Sequence, residues 1–145
     1  MGLKLTISLY WLGRGANYVW FGVFLGINYF IIPDLPFGVE YVDYNIIPVV
    51  SSMVDIDQFC KLNFKSELVY CVSGFGVTGE TDIIFRDAEK FVSEFKNKTG
   101  KKVALGFGIK SRDEISQVLN FADLAVIGSQ LIREYNSFGL NFKII

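Results

Sequence analysis

No histidine occurs among the 145 residues. That excludes catalytic triads and general-base schemes built on imidazole, and every His-ligated metal site. Cysteine is nearly as scarce. Cys60 and Cys71 form no C-x-x-C pair, so neither a disulfide framework nor a zinc knuckle is expected, and two buried thiols in a reducing cytoplasm is the simpler reading. Positive charge is not in excess: 14 Lys+Arg stand against 15 Asp+Glu, a net charge of −1, which argues against a nucleic-acid partner. Charged residues make up 20% of the chain and apolar residues 51%. Disorder is therefore excluded, and a packed core in a single domain is expected.

Membrane and targeting signals are weak. From Gly15 to Pro33 no residue is charged, a length that could span a bilayer. The stretch also carries Asn17, Asn28 and three glycines, Gly15, Gly22 and Gly26, and runs into Pro33-Asp34-Leu35-Pro36. A spanning helix would expose those amides to hydrocarbon, so a strand with its preceding turn is the preferred reading. The N-terminal Met1-Gly2 fits a loose myristoylation pattern, but Leu5 to Leu9 already reads as a strand. No secretory cleavage site is convincing, and the sequon Asn97-Lys98-Thr99 matters only in a secreted protein.

Five apolar runs are present: Ile27–Ile32, Ile46–Val50, Leu68–Val72, Val103–Leu105 and Leu124–Ile127. Their near-continuous hydrophobicity is that of parallel strands covered on both faces. Between and after the last three lie helices. Ile84, Ala88, Phe91, Val92 and Phe95 share one stripe, closed by Lys96, Lys98 and Gly100. Ser111-Arg112-Asp113-Glu114 reads as a capping box ahead of Ile115, Val118 and Leu119, and Ser129 is expected to cap a helix carrying Leu131, Ile132 and Tyr135. A short helix is expected over Ile56, Phe59, Cys60 and Leu62. The connection between Pro36 and Ile46 looks too short for an ordinary crossover, which implies a lost helix or an unconventional pairing. Strand–helix alternation predicts right-handed β-α units.

Three glycine-bearing turns follow three successive strands: Gly74-Phe75-Gly76-Val77-Thr78-Gly79, Gly106-Phe107-Gly108, and Gly128-Ser129. The C-terminal ends of parallel strands are where β/α proteins place their sites. Glycines let backbone N–H groups approach an anion closely, and a helix beginning at Ser129 adds its positive end. The expectation is a phosphate site made almost wholly of main chain. The bland alternative is three tight strand-to-helix turns with no ligand.

Taken in order, Ile32-Pro33-Asp34-Leu35-Pro36, Tyr70 to Ser73 with Gly76-Val77-Thr78-Gly79, Leu105-Gly106-Phe107-Gly108-Ile109 and Val126-Ile127-Gly128-Ser129 resemble the tryptophan synthase alpha chain. The resemblance implies an α/β fold of the TIM (β/α)8 type, here an incomplete barrel retaining parallel strands three to eight in one domain. Residues 1–36 would hold the region of strands three and four, and residues 69–140 the phosphate-binding half. It implies cleavage of indole-3-glycerol phosphate to indole and glyceraldehyde 3-phosphate in the cytoplasm, with no cofactor and no metal. Residue by residue, Gly79, Gly108, Gly128 and Ser129 match the family's phosphate-binding positions. Phe107 matches the aromatic lining the indole pocket, and Thr78 the threonine of the loop that closes over substrate. Tyr70 matches a tyrosine close to the reacting centre. Asp34 matches the carboxylate that helps couple the alpha chain to its beta-chain partner.

The same resemblance marks departures. The family's catalytic glutamate and aspartate lie in an L-E-L-G-x-P-x-S-D-P context that nothing in this sequence matches. On that resemblance the first residues fall near the family's third strand, and its first two strands are expected to have no counterpart here. Leu9-Tyr10-Trp11-Leu12 stands where the family has an asparagine. The expectation is a chain inactive alone. A non-enzymatic phosphate- or partner-binding half-barrel is one alternative. Another is a phosphosugar enzyme with Asp34 as a relocated carboxylate. Apolar residues such as Trp20 and Phe21, left without cover, imply self-association.

Overall fold

The computed structural model describes residues 8–9, 29–31, 45–62, 64–72, 81–106 and 108–138. In chain order these form β1 (Ser8–Leu9), β2 (Tyr29–Ile31), β3 (Asn45–Ile47), β4 (Val49–Ser51), α1 (Ile56–Lys61), β5 (Leu68–Val72), α2 (Thr81–Thr99), β6 (Lys102–Gly106), α3 (Arg112–Leu119), β7 (Leu124–Val126) and α4 (Ser129–Phe138). Every strand pair is parallel, in the orders β1-β2-β3 and β4-β5-β6-β7. Only Pro48 separates β3 from β4. Proline has no N–H to give to a ladder, and the strand changes neighbours there. Asn45 to Ile47 pair with β2, and Val49 to Ser51 pair with β5. The Pro48 carbonyl remains in use, accepting from Tyr70 N at 2.9 Å. The strands thus follow one another laterally in sequence order. Of the apolar run Ile27–Ile32, the described strand β2 takes Tyr29–Ile31, with Phe30 and Ile31 buried. Despite the short connection after Pro36, β2 and β3 pair in parallel with Tyr29 opposite Asn45.

Alternation along β4 to β7 divides the apolar side chains between two layers. Val50, Val69, Cys71, Val103 and Leu105 face the helices and pack with Phe59, Ala88, Val92, Phe95 and Val118. Tyr70 and Ala104 face the other way, with Ile31 and Ile47, and Val49, Leu68, Val72 and Val126 pack around them. A β/α barrel shows this division, with one layer under its helices and one in its interior.

The helices form as their spacing predicts, with corrections. In α2 the stripe of Ala88, Val92 and Phe95 is fully buried and Phe91 packs against it. Gly100, at φ +68°, ends the helix and donates to Lys96 O at 2.9 Å. In α1, Asp55 accepts from the Asp57 and Gln58 amides, and Ile56 and Phe59 are buried. Cys60 is exposed, contrary to the expectation of two buried thiols, because one residue beyond Phe59 is a turn of roughly 100° away from the core. Leu62 is likewise exposed. Leu119 corrects the α3 stripe in the same way: Val118 is buried, while its successor is 50% exposed. Ser129 is the first helical residue of α4 rather than its cap. Gly128 holds the capping position, its carbonyl accepting from Ile132 N at 3.2 Å.

At the N-terminal end of β6, Asp123 closes the scaffold. Its Oδ2 accepts from Val103 N at 2.9 Å and lies 3.0 Å from Lys96 Nζ. Lys96 Nζ also donates to Phe121 O at 3.3 Å, so α2 is tied to the turn between α3 and β7.

Candidate functional site at the C-terminal strand ends

Register places the expected turns side by side. Val72 lies opposite Gly106, and Gly106 opposite Val126. Gly108 and Gly128 each follow two residues beyond a partner of that last pair, so both turns leave neighbouring strands at the same edge.

Tyr70 stands one step back on the interior face of β5, opposite Ala104. Its ring reaches toward the strand end and covers Gly106: a Cβ built there would lie 2.6 Å from Tyr70 Cζ. Tyr70 is 8% exposed. Burial, and after it the neighbouring Cys71, push its phenol above the ordinary tyrosine range. It therefore stays neutral near pH 7, able to donate a hydrogen bond or accept one.

The turn after β6 is anchored just beyond an exposed glycine. Gly108 lies at φ +60°, a left-handed conformation that glycine takes without penalty. Ile109 anchors the chain in the helix-side core at 3% exposure. Lys110 N and Ser111 N both donate to Glu114 Oε2, at 2.6 and 3.2 Å, while Ser111 Oγ accepts from Glu114 N at 3.2 Å. The turn after β7 is open as well. Gly128 is exposed and, as at Gly108, a Cβ there would meet nothing within 4 Å, while the first turn of α4, unlike that of α3, carries no acidic residue.

Of the residues expected to form the site, Tyr70, Gly108, Gly128 and the backbone of Ser129 are described, all toward one end of the sheet. Phe107, Thr78, Gly79 and Asp34 lie outside the described residues, as do Trp20 and Phe21. Among the described residues no charged side chain is buried, and β5, β6 and β7 carry no Asp or Glu. No group of three or more Cys, Asp or Glu side chains there could hold a metal ion, and no described helix is long and apolar enough to cross a membrane. The arrangement puts two exposed glycines just beyond the ends of neighbouring strands, at the end of the sheet toward which the neutral Tyr70 phenol reaches. Sequence reading missed two contributors, Gly106 as the seat of the Tyr70 ring and Glu114 as a ligand of the turn. The first glycine of Gly106-Phe107-Gly108 was the available signal for one, and the capping pattern for the other.

Comparison with known proteins gives a consistent result. The family profile described as "Tryptophan synthase alpha chain" matches residues 24–141. The tryptophan synthase alpha chain of Leptospira borgpetersenii is 29% identical over 130 residues, covering 82% of this chain and 49% of that protein. That of Thermotoga petrophila is 36% identical over 114 residues, covering 75% and 46%. The chain thus spans about half the length of the curated relatives it matches. Among solved structures, tryptophan synthase subunit alpha from Campylobacter jejuni superposes with a TM-score of 0.70 at 22% identity, over 86% of this chain and 54% of that one. A tryptophan synthase structure from M. tuberculosis gives 0.63 at 20% identity, over 83% and 48%. Those structural likenesses speak to fold: an α/β chain corresponding to about half of a TIM-type barrel.

Proposed function

The chain belongs to the tryptophan synthase alpha chain family, and from that premise we propose that it carries the phosphate-binding half of the family's site. Gly79, Gly108, Gly128 and Ser129 would hold the phosphate of indole-3-glycerol phosphate or of glyceraldehyde 3-phosphate. Phe107 and Thr78 would line and close the pocket, with Tyr70 near the reacting centre. In this reading residues 69–140 are the phosphate-binding part of one domain. A tryptophan synthase beta chain is the proposed partner, with Asp34 on the interface, and self-association is proposed where that partner is absent.

One observation carries the phosphate reading. Gly108, in a left-handed turn, and Gly128, at the start of α4, extend equally far beyond a registered pair of strand residues. Backbone N–H groups at such a turn and at a helix start favour a doubly charged anion without any lysine or arginine.

Cleavage of the substrate needs a general acid for indole C3 and a base for the glycerol hydroxyl. No segment of this sequence matches the family's glutamate and aspartate context, and the described strands β4 to β7 carry no Asp or Glu. We therefore propose that this sequence by itself binds the phosphate and does not turn the substrate over.

The test is a titration of the 15N-labelled chain with inorganic phosphate, followed by amide shifts. Saturable shifts at Gly108, Gly128 and Ser129 are the expected result. Shifts scattered over surface lysines, with those three unmoved, would overturn the reading.

A further inference from the structure

We propose that Glu114 is a positioning residue for the phosphate turn, fixing the backbone just beyond Gly108 in the conformation that receives phosphate. The proposal rests on the phosphate reading above and goes a step deeper into the same site.

Glycine has the widest conformational freedom of any residue, so a binding turn built on Gly108 must have its shape imposed by its flanks. On one side the flank is Gly106, registered in β6 and covered by the Tyr70 ring. On the other it is Ile109, buried at 3% exposure, followed by Lys110 and Ser111. A capping box alone would use the Glu114 carboxylate on the Ser111 amide. Here Glu114 Oε2 also takes the Lys110 amide, and at the shorter distance, 2.6 Å against 3.2 Å. That additional bond reaches back out of the helix into the turn. Among the described residues it leaves Gly108 exposed between Gly106 and the anchored Ile109.

The full chain and inorganic phosphate are sufficient to test this, because geometry and charge predict opposite signs. Removing a carboxylate near an anion site should tighten phosphate binding by electrostatics alone. If Glu114 positions the turn, Glu114→Ala instead weakens phosphate binding roughly fivefold to tenfold, the scale of one lost hydrogen bond. Glu114→Gln keeps an acceptor oxygen and restores binding to the parent level or better. Ser111→Ala removes the cap hydroxyl but not the Lys110 bond, so it lowers thermal stability and leaves phosphate affinity unchanged. Should Glu114→Ala fail to fold, Glu114→Asp keeps the charge, shortens the reach by one methylene and shows the same loss. Unchanged or tighter binding in Glu114→Ala, or an equal loss in Ser111→Ala, overturns the positioning role while leaving the phosphate reading intact. A parent chain whose Gly108 and Gly128 amides ignore phosphate overturns both, and needs no variant to show it.

Discussion

The ring of Tyr70 occupies the space above Gly106 that a side chain at that position would need. The two are diagonal neighbours across β5 and β6, since Tyr70 lies opposite Ala104 and Val72 opposite Gly106. The missing Cβ is what lets a large phenol lie along the interior face and reach the end of the sheet where the glycine turns begin.

Gly106→Ala should therefore destabilise the chain by about 1–3 kcal/mol, the usual cost of overpacking a filled core. Cζ and Cε2 of the ring would lie only 2.6 and 2.7 Å from the new methyl, so the whole ring would have to shift. In a Tyr70→Ala background the same substitution should cost far less. Urea unfolding of the four chains in that double-mutant cycle checks the coupling.

Gly128→Asp separates folding from binding. Nothing lies within 4 Å of a Cβ at this position, and aspartate is a better helix cap than glycine by a few tenths of a kcal/mol. The melting temperature should hold or rise. Phosphate binding should fall below detection, because a fixed carboxylate would stand where the anion is proposed to lie. A melting scan paired with a phosphate titration reads both.

Asp123 predicts an acid limb in the stability curve. Burial raises its pKa, but the Val103 amide, then Lys96 and Lys102, outweigh that and hold the carboxyl below its ordinary value. A depressed pKa means that the contribution is present above the unfolded value near 3.9 and is lost as pH falls through the folded one. Both partners are about one-third exposed, so solvent screening limits the effect to about 0.5–1 kcal/mol. Asp123→Asn should lower stability by that amount near pH 7 and flatten its slope below about pH 4, measured by urea unfolding across pH.

The two thiols should react on different schedules. Cys60 is exposed, while burial pushes the Cys71 thiol up to about 12. A thiol-reactive dye near pH 8 should label Cys60 promptly and Cys71 only on unfolding, because the thiolate is the reactive form. Prompt labelling of both would contradict the packing of β5 against the helices.

Indole release from indole-3-glycerol phosphate should not exceed background for this chain alone. Loss of one positioned acid or base typically costs about 10²–10⁴-fold, and on the proposed reading this sequence supplies neither of the family's carboxylates. A rate near that of an intact relative would refute the proposal and turn attention to Asp34, whose change to Asn should then abolish it.

Strand positions and helix faces were legible in the sequence because both follow from short-range periodicity. Leu68–Val72 is the expected strand residue for residue. Ser111 and Glu114 cap α3 as their spacing requires, and Ala88, Val92 and Phe95 line α2. The resemblance to the family was legible because glycine turns at strand ends have few substitutes for what the backbone does there. Individual residues at helix edges do not follow from periodicity alone. Cys60 and Leu119 are apolar or nearly so, yet each sits a step past the buried stripe, and only the docked orientation of a helix decides where that stripe ends.

What belongs to tertiary structure alone is everything that depends on register between strands. No local pattern says that Pro48 is where a strand changes partners, since that follows from which neighbour needs the missing N–H. Nor could spacing show that Tyr70 covers a glycine 36 residues away. The Lys110 bond of Glu114 is hidden for a related reason: a capping pattern predicts the Ser111 contact, but the further reach depends on how Gly108 turns the chain before the helix starts. Periodicity determines which side chains are apolar on a face. Packing of one strand against the next determines which atoms meet.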